Sequence, residues 1–155
     1  MKPSGRLRLL VSNALPDVVS GAERAIVDTL RGCADRIEPV MWTPGPGRLS
    51  AFYEAQGLSV APRAISWPRR LYPGLHSLQS WQAARALKPL RARAVLANTF
   101  AAASRSATAA RLMGLPQIIY VREYMSDRPS HRRTLAEAAL DRKSTRLNSS
   151  HTDIS

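Results

Sequence analysis

Cysteine is almost absent from this 155-residue sequence, which contains only Cys33. A single cysteine excludes an internal disulfide framework and any metal site built from several cysteines. We expect Cys33 to lie in a helix as a small core residue. The sparing use of cysteine favours a reducing compartment, so the expected location is the cytoplasm.

Long apolar runs are also missing. No segment approaches the roughly 18–20 apolar residues that span a membrane, and the first sixteen residues, MKPSGRLRLLVSNALP, hold too short an apolar run for a signal peptide. The phosphate-binding patterns GxGxxG and GxxxxGK followed by Ser or Thr do not occur. Their absence disfavours a classical NAD site and excludes a P-loop.

Acidic residues are few, since 11 Asp and Glu stand against 23 Lys and Arg, which gives a net charge of +12. Only Lys2, Lys88 and Lys143 are lysines. Arginine suits phosphate and carboxylate groups, so the balance favours anionic partners such as nucleotides, anionic lipids or nucleic acid. Codon usage in a GC-rich genome also produces many arginines, and the charge alone does not choose among these explanations.

Strand-like and helix-like segments alternate along most of the chain. RLRLLVSN predicts a buried strand with its leucines, Leu7 included, in the core, and GAERAIVDTLRGCADR predicts a helix whose apolar face includes Cys33. Further strands are expected at IEPVMW, LSVAP, AVLANTF and PQIIYVREY, with Pro89 ending one helix and Gly114 capping another. The pattern predicts an α/β fold: a Rossmann-like parallel sheet of about five strands with helices on both faces.

Ser20, Gly21 and Glu23 open the first predicted helix, directly after the first strand. In an open α/β sheet, ligands bind beyond the carboxyl ends of the strands. Gly21 would allow a ligand to approach the backbone closely, and the free N–H groups of the helix start suit an anion. The same residues also predict an ordinary capping box, and the two interpretations can both hold.

Two other segments carry candidate contacts. Asn98 and Thr99 end the fourth strand, where they can line a cleft or cap the next helix. Trp67, Tyr72 and Trp81 lie among basic residues, a combination typical of a membrane interface. The alternative is a solvated helix with Trp81 packed in the core. The aromatic residues are too sparse for a base-stacking platform, so no nucleic-acid partner is expected.

Three segments carry a resemblance to a known family. The strand, the helix starting GAER and the next strand resemble the N-terminal domain of family 4 glycosyltransferases of the GT-B fold, with Ser20 where the family commonly has the first glycine of Gly-Gly-x-Glu-Arg. IIYVREYMSDRPSHRR is similar to the family segment that ends a strand in His-Glu or Arg-Glu, which places Arg122 and Glu123 on those positions. VLANTFAAASRSATAARLMGLPQIIYVRE is the third match, and the resemblance covers residues 6–140.

The resemblance implies that residues 1–140 are the acceptor-side half of a retaining glycosyltransferase. Such an enzyme transfers a sugar from a nucleotide-sugar to a glycan or lipid-linked acceptor of the cell envelope, at the inner face of the membrane, and needs neither a metal nor a cofactor. Arg122 stays protonated near neutral pH, so it would anchor a phosphate or carboxylate unless it only pairs with Glu123 or Asp127. The alternative function is a non-catalytic basic α/β module that binds an anionic ligand or partner.

The candidate substrate-binding residues therefore share a position near strand ends and helix starts. They are Ser20, Gly21, Glu23, Asn98, Arg122 and Glu123. No residue is singled out as catalytic.

The last fifteen residues, DRKSTRLNSSHTDIS, differ from the rest of the chain. Back-translated from Asp141, they resemble a common short-read sequencing adapter, with Thr152 and Asp153 over its index. A natural Ser/Thr-rich tail is the alternative. We expect residues 141–155 to be a disordered tail that is non-native from Lys143 at the latest. The C-terminal half that binds the nucleotide-sugar would then be missing, and this chain alone would not transfer sugar.

Overall fold

A computed structural model describes residues 5–61 and 75–120. The elements in chain order are β1 (Leu7–Ser12), α1 (Gly21–Arg31), β2 (Ile37–Trp42), α2 (Arg48–Ala55), β3 (Ser59–Val60), α3 (Leu75–Leu87), a 3₁₀ turn (Lys88–Leu90), β4 (Ala94–Ala97), α4 (Phe100–Met113) and β5 (Gln117–Ile119). The five strands form one parallel sheet in the order β3-β2-β1-β4-β5. The predicted Rossmann-like sheet is confirmed.

The helices cover both faces of the sheet, as alternating side chains along β1 show. Leu9 and Val11 pack with α1 and α2, in a cluster that includes Ile26 and Leu49. Leu10 points to the opposite face and packs with α3 and α4. Because successive residues of a strand face opposite sides, a continuous apolar run such as LRLLV is what a sheet covered twice requires.

Two details of the predicted core differ from the structure. Leu7 is 44% exposed, because β4 pairs with β1 only from Leu9 onward and leaves the start of the strand uncovered. The first helix ends at Arg31 with Gly32 as its cap, so half-buried Cys33 lies in the following turn instead of on the helix face. The spacing of three residues between Leu30 and Cys33 therefore does not place them on one face of α1, because the helix ends before Cys33.

The ends of the other helices follow the predicted signals. Gly114 caps α4 with a φ of 68°, in the left-handed region that glycine adopts without strain. Pro89 lies in the 3₁₀ turn that follows α3, where a further turn of α-helix cannot form. Among the described strands, β5 lies at one edge of the sheet, and Ile118 on it is 40% exposed. The rest of the predicted fifth strand, from Val121, lies outside the described residues.

Candidate functional site

The carboxyl ends of β1 and β4 meet at the point where the chain changes from one face of the sheet to the other. The two strands are neighbours in register, with Ser12 beside Ala97. The helix that follows β1 packs on one face, and the helix that follows β4 packs on the other. In open α/β sheets the loops diverge at such a point and leave a crevice. The residues that follow these strands are therefore the first candidates for a site.

The start of α1 is a complete capping box. The Ser20 hydroxyl accepts a hydrogen bond from the Ala22 N–H at 3.2 Å and donates one to the Glu23 carboxylate. The same carboxylate accepts the Ser20 backbone N–H at 2.9 Å. This confirms the capping interpretation of Ser20 and Glu23, and it explains why a charged residue, 8% exposed, is tolerated there. A ligand role for these residues stays a prediction.

Gly21 leaves open space in front of the helix start. Within residues 5–61 and 75–120, a Cβ added at Gly21 would meet no heavy atom within 4 Å outside its own helix backbone and chain neighbours, and the residue itself is exposed. The described residues therefore leave room for a side chain at this position of the first turn. The ligand-facing role of Gly21 stays a prediction.

A buried polar cluster connects the strand ends to α2. The Tyr53 hydroxyl on α2 donates a hydrogen bond to Asn13 Oδ1 at 2.9 Å, and Asn98 Nδ2 donates to the same oxygen at 3.4 Å. Asn13 and Asn98 follow β1 and β4 directly, and all three side chains are buried. The predicted residue Asn98 is thus held from the side of β1.

The Tyr53 phenol is tuned by its surroundings. Burial raises the pKa of Tyr53 well above its usual value, and the nearby Glu23 carboxylate raises this pKa further, whereas the hydrogen bond to Asn13 acts in the opposite direction. The hydroxyl therefore stays protonated and acts as a donor throughout the neutral range. Tyr53 therefore interacts both with the Glu23 carboxylate at the start of α1 and, through its hydrogen bond, with Asn13 at the end of β1.

Two loops and helix α4 hold one another in place at this edge. Leu49 N–H donates to the Pro16 carbonyl at 2.9 Å, and Arg48 N–H donates to Asp17 Oδ1 at 3.3 Å, so the loop after β1 is tied to the start of α2. A Cβ at Gly47 would lie 2.4 Å from Asp17 Oδ1 and 2.7 Å from the Pro16 oxygen, so only glycine permits this approach. From the other face, the Arg105 guanidinium donates to the carbonyl of Ala14.

The structure places four of the six predicted site residues at this edge. Ser20, Gly21 and Glu23 form the start of α1, and Asn98 ends β4; Arg122 and Glu123 lie outside the described residues. Asn13 and Tyr53 were not predicted. Asn13 is the first residue after β1, as Asn98 is after β4, so looking for polar residues at strand ends would have found it. Tyr53 is brought in by the tertiary fold alone.

The face of α3 that carries Trp81 is open. Trp81 is 49% exposed and Leu78 is 48% exposed, so the alternative that packed Trp81 in the core is wrong. The Arg85 guanidinium carbon lies 5.5 Å from the centre of the Trp81 ring, a cation–π contact. Trp67 and Tyr72 lie outside the described residues.

Two classes of feature do not occur in the part of the chain that the structure describes. None of its helices is both long and apolar enough to cross a bilayer. Residues 5–61 and 75–120 also hold no group of three or more His, Cys, Asp or Glu side chains suited to a metal ion.

No family model and no curated protein matches this sequence, but solved structures do. HepE from Anabaena, in complex with UDP-glucose, has a TM-score of 0.65 at 17% identity over 86% of this chain and 35% of HepE. MurG from Acinetobacter baumannii has a TM-score of 0.60 at 13% identity over 86% of this chain and 39% of MurG. A glycosyltransferase from Rickettsia africae has a TM-score of 0.61 at 12% identity over 90% of this chain and 36% of that protein.

This chain therefore spans little more than a third of the length of each of these proteins. At such identities the likeness concerns the fold alone. The described sheet and its helices have the α/β, Rossmann-like fold of one part of a GT-B glycosyltransferase.

Proposed function

We propose that this chain is the N-terminal, acceptor-side domain of a retaining, family 4 glycosyltransferase. The enzyme would transfer a sugar from a nucleotide-sugar to a glycan or lipid-linked acceptor of the cell envelope. The observation that supports this most is the polar edge of the sheet, with Asn13, Tyr53 and Asn98 beside the open start of α1, in a fold shared with glycosyltransferases. HepE, one of these, was solved with UDP-glucose.

In this proposal each candidate residue has a distinct part. Gly21 admits the acceptor close to the first turn of α1, and Ser20 and Glu23 hold that turn in shape. Asn98 contacts the acceptor from the end of β4. Arg122, with Glu123 beside it, anchors an anionic group of a substrate, since a guanidinium cannot serve as a general base near neutral pH. The nucleotide-sugar is a co-substrate held by the second half, and no cofactor takes part.

Reading the gene beyond residue 140 tests the proposal. We expect an apolar strand soon after Leu140, followed by a second Rossmann-like half with an acidic motif. The longer product should release nucleotide from a panel of nucleotide-sugars that includes UDP-glucose. The 155-residue chain should not, because both halves are needed to orient the substrates.

The possible outcomes separate the two functions. A reading frame that closes at this point would favour the non-catalytic anion-binding module. Turnover by the purified 155-residue chain would contradict the assignment of this chain to the acceptor half alone.

We further propose that the enzyme works at the inner face of the cytoplasmic membrane and touches it through α3. Leu78, Trp81 and Arg85 lie at spacings of three and four residues, which place them along one side of the helix, and the first two are about half exposed. Aromatic and aliphatic side chains next to arginine suit the boundary between lipid headgroups and acyl chains. The net charge of +12 favours an anionic surface.

Vesicle co-sedimentation tests this contact. The chain should bind vesicles rich in phosphatidylglycerol more strongly than phosphatidylcholine vesicles, and Trp81→Ala should weaken the binding several-fold. Leu112→Ala is the matched control, because Leu112 is 51% exposed but belongs to α4. Equal effects of the two substitutions, or no preference for anionic vesicles, would contradict the α3 contact.

A further inference from the structure

The hydrogen bonds around Asn13 fix the orientation of its side-chain amide. Asn13 Nδ2 donates to the Val11 carbonyl at 3.1 Å, and a carbonyl oxygen can only accept. Exchanging the oxygen and nitrogen of Asn13 would set two oxygens against each other at Val11. Asn13 Oδ1 must therefore be the atom that accepts the hydrogen bonds from Tyr53 and Asn98.

This orientation in turn fixes Asn98. Asn13 presents an oxygen, so Asn98 must present its Nδ2, at 3.4 Å. The Oδ1 of Asn98, which diverges from Nδ2 at the same carbon, is directed away from Asn13. The residue is 2% exposed, and its Oδ1 has no hydrogen-bond partner in the structure of residues 5–61 and 75–120. Buried carbonyl oxygens almost always accept a hydrogen bond, so this atom calls for a partner that donates one.

The position of this oxygen points to a ligand. Asn98 ends β4 and precedes Thr99, the N-cap of α4, so it lies at the edge of the sheet where the loops diverge. Its own backbone N–H donates to the Ser12 carbonyl at 3.0 Å, which holds the residue firmly against β1. The free acceptor is therefore placed by the rigid sheet and not by a mobile loop.

We propose that Asn98 Oδ1 accepts a hydrogen bond from a sugar hydroxyl of the acceptor, and that Asn13 and Tyr53 are positioning residues that hold it in this orientation. The inference rests on the proposed function and makes its substrate contact specific. A carbonyl oxygen attracts a hydroxyl and repels the oxygens of a phosphate. The group bound here is thus the neutral polyol part of the acceptor. Because Asn98 Oδ1 is buried in the free chain, the hydroxyl must displace whatever covers it.

Nuclear magnetic resonance on the 155-residue chain, labelled with ¹³C and ¹⁵N, tests the contact directly. The sequence has only three asparagines, Asn13, Asn98 and Asn148, so their side-chain signals can be assigned with single substitutions. The probes are a panel of methyl hexosides and, separately, inorganic phosphate. We expect a hexoside to shift the side-chain carbonyl carbon of Asn98 and the Asn148 signal to stay unchanged. Phosphate should leave Asn98 unaffected.

Two variants separate binding from structure. Asn98→Leu should lower hexoside affinity at least about tenfold while keeping the amide spectrum of a folded protein, since it also removes an unpaired buried acceptor. Tyr53→Phe should lower hexoside affinity by a smaller factor and leave the response to phosphate unchanged. If Tyr53 has a purely structural role, Tyr53→Phe should lower the stability of the protein and leave its hexoside affinity unchanged.

Each contrary result overturns a defined statement. The contact would be refuted if hexosides shifted the signals of other residues but not that of the Asn98 carbonyl, and if Asn98→Leu bound hexosides as tightly as the unaltered chain. The proposed function would then still stand. A phosphate-induced shift at Asn98 would also refute it. If no hexoside perturbs the chain at all, the contact is refuted, and sugar transfer by the longer gene product decides the proposed function separately. If Asn98→Leu does not fold, the titration of the unaltered chain still decides.

Discussion

Gly47 is the residue at which a single added methyl group should disturb the edge of the sheet. Its Cβ would lie 2.7 Å from the Pro16 carbonyl oxygen and 2.4 Å from Asp17 Oδ1. The Asp17 side chain can rotate away, but the Pro16 carbonyl is fixed by its 2.9 Å hydrogen bond from Leu49 N–H. Displacing backbone in a packed contact costs about 1–3 kcal/mol, and losing that hydrogen bond adds about 0.5–1.5 kcal/mol.

We therefore expect Gly47→Ala to lower the free energy of unfolding by about 1.5–4.5 kcal/mol, measured by urea denaturation with an unchanged slope. The melting temperature should fall by roughly 3–18 °C for a domain of this size. Gly45→Ala is the matched control, because a Cβ at Gly45 would meet nothing within 4 Å among the described residues. Its effect should stay within about 0.5 kcal/mol. Equal losses in both variants, or a stable Gly47→Ala, would refute the close approach as the reason for glycine.

Three further predictions follow from the charges and the open space. The hydrogen bond from Arg8 holds the pKa of Glu38 below its usual value, so this pair stabilises above about pH 4.3 and loses its effect as the pH falls; the stability difference to Glu38→Gln should shrink on acidification, and a constant difference would contradict this. Because the pKa of Tyr53 is raised in the folded state, its contribution to the free energy of unfolding is complete below about pH 10 and is lost at higher pH. The free energy of unfolding of Tyr53→Phe should therefore fall less above about pH 10 than that of the unaltered chain, and parallel curves for the two proteins would contradict this. Gly21→Val should change stability by less than about 1 kcal/mol, since its side chain enters open space, but should reduce turnover of the longer gene product much more; equal losses would leave only the capping role.

The order of strands and helices could be predicted from the sequence because each element carries a local signal. Apolar runs gave the strands, and Gly114 and Pro89 marked two helix ends where the structure has them. The misplaced details have a tertiary origin. Leu7 is as apolar as its neighbours, and its exposure depends on where β4 begins to pair. Trp81 has a side chain typical of a core, yet α3 turns it outward.

The site was only partly predictable for the same reason. Ser20 and Glu23 are three residues apart, so their capping box can be read directly from the chain. The cluster of Tyr53 with Asn13 and Asn98 joins residues 40 and 85 positions apart. No local pattern records such contacts, and they exist only because β1 lies in the middle of the sheet between β2 and β4.

The capping box at α1 has a consequence for the electrostatic potential outside the helix. A helix start carries a partial positive charge of about half an elementary charge. The Glu23 carboxylate, bound to Ser20 within the first turn, places a full negative charge beside it. The carboxylate outweighs the partial positive charge of the helix start, so a phosphate gains nothing from the helix dipole at α1 in spite of the overall charge of +12. The arginines of this chain thus attract anionic molecules or surfaces over long distances, whereas the local potential at α1 favours contact with an uncharged part of such a molecule.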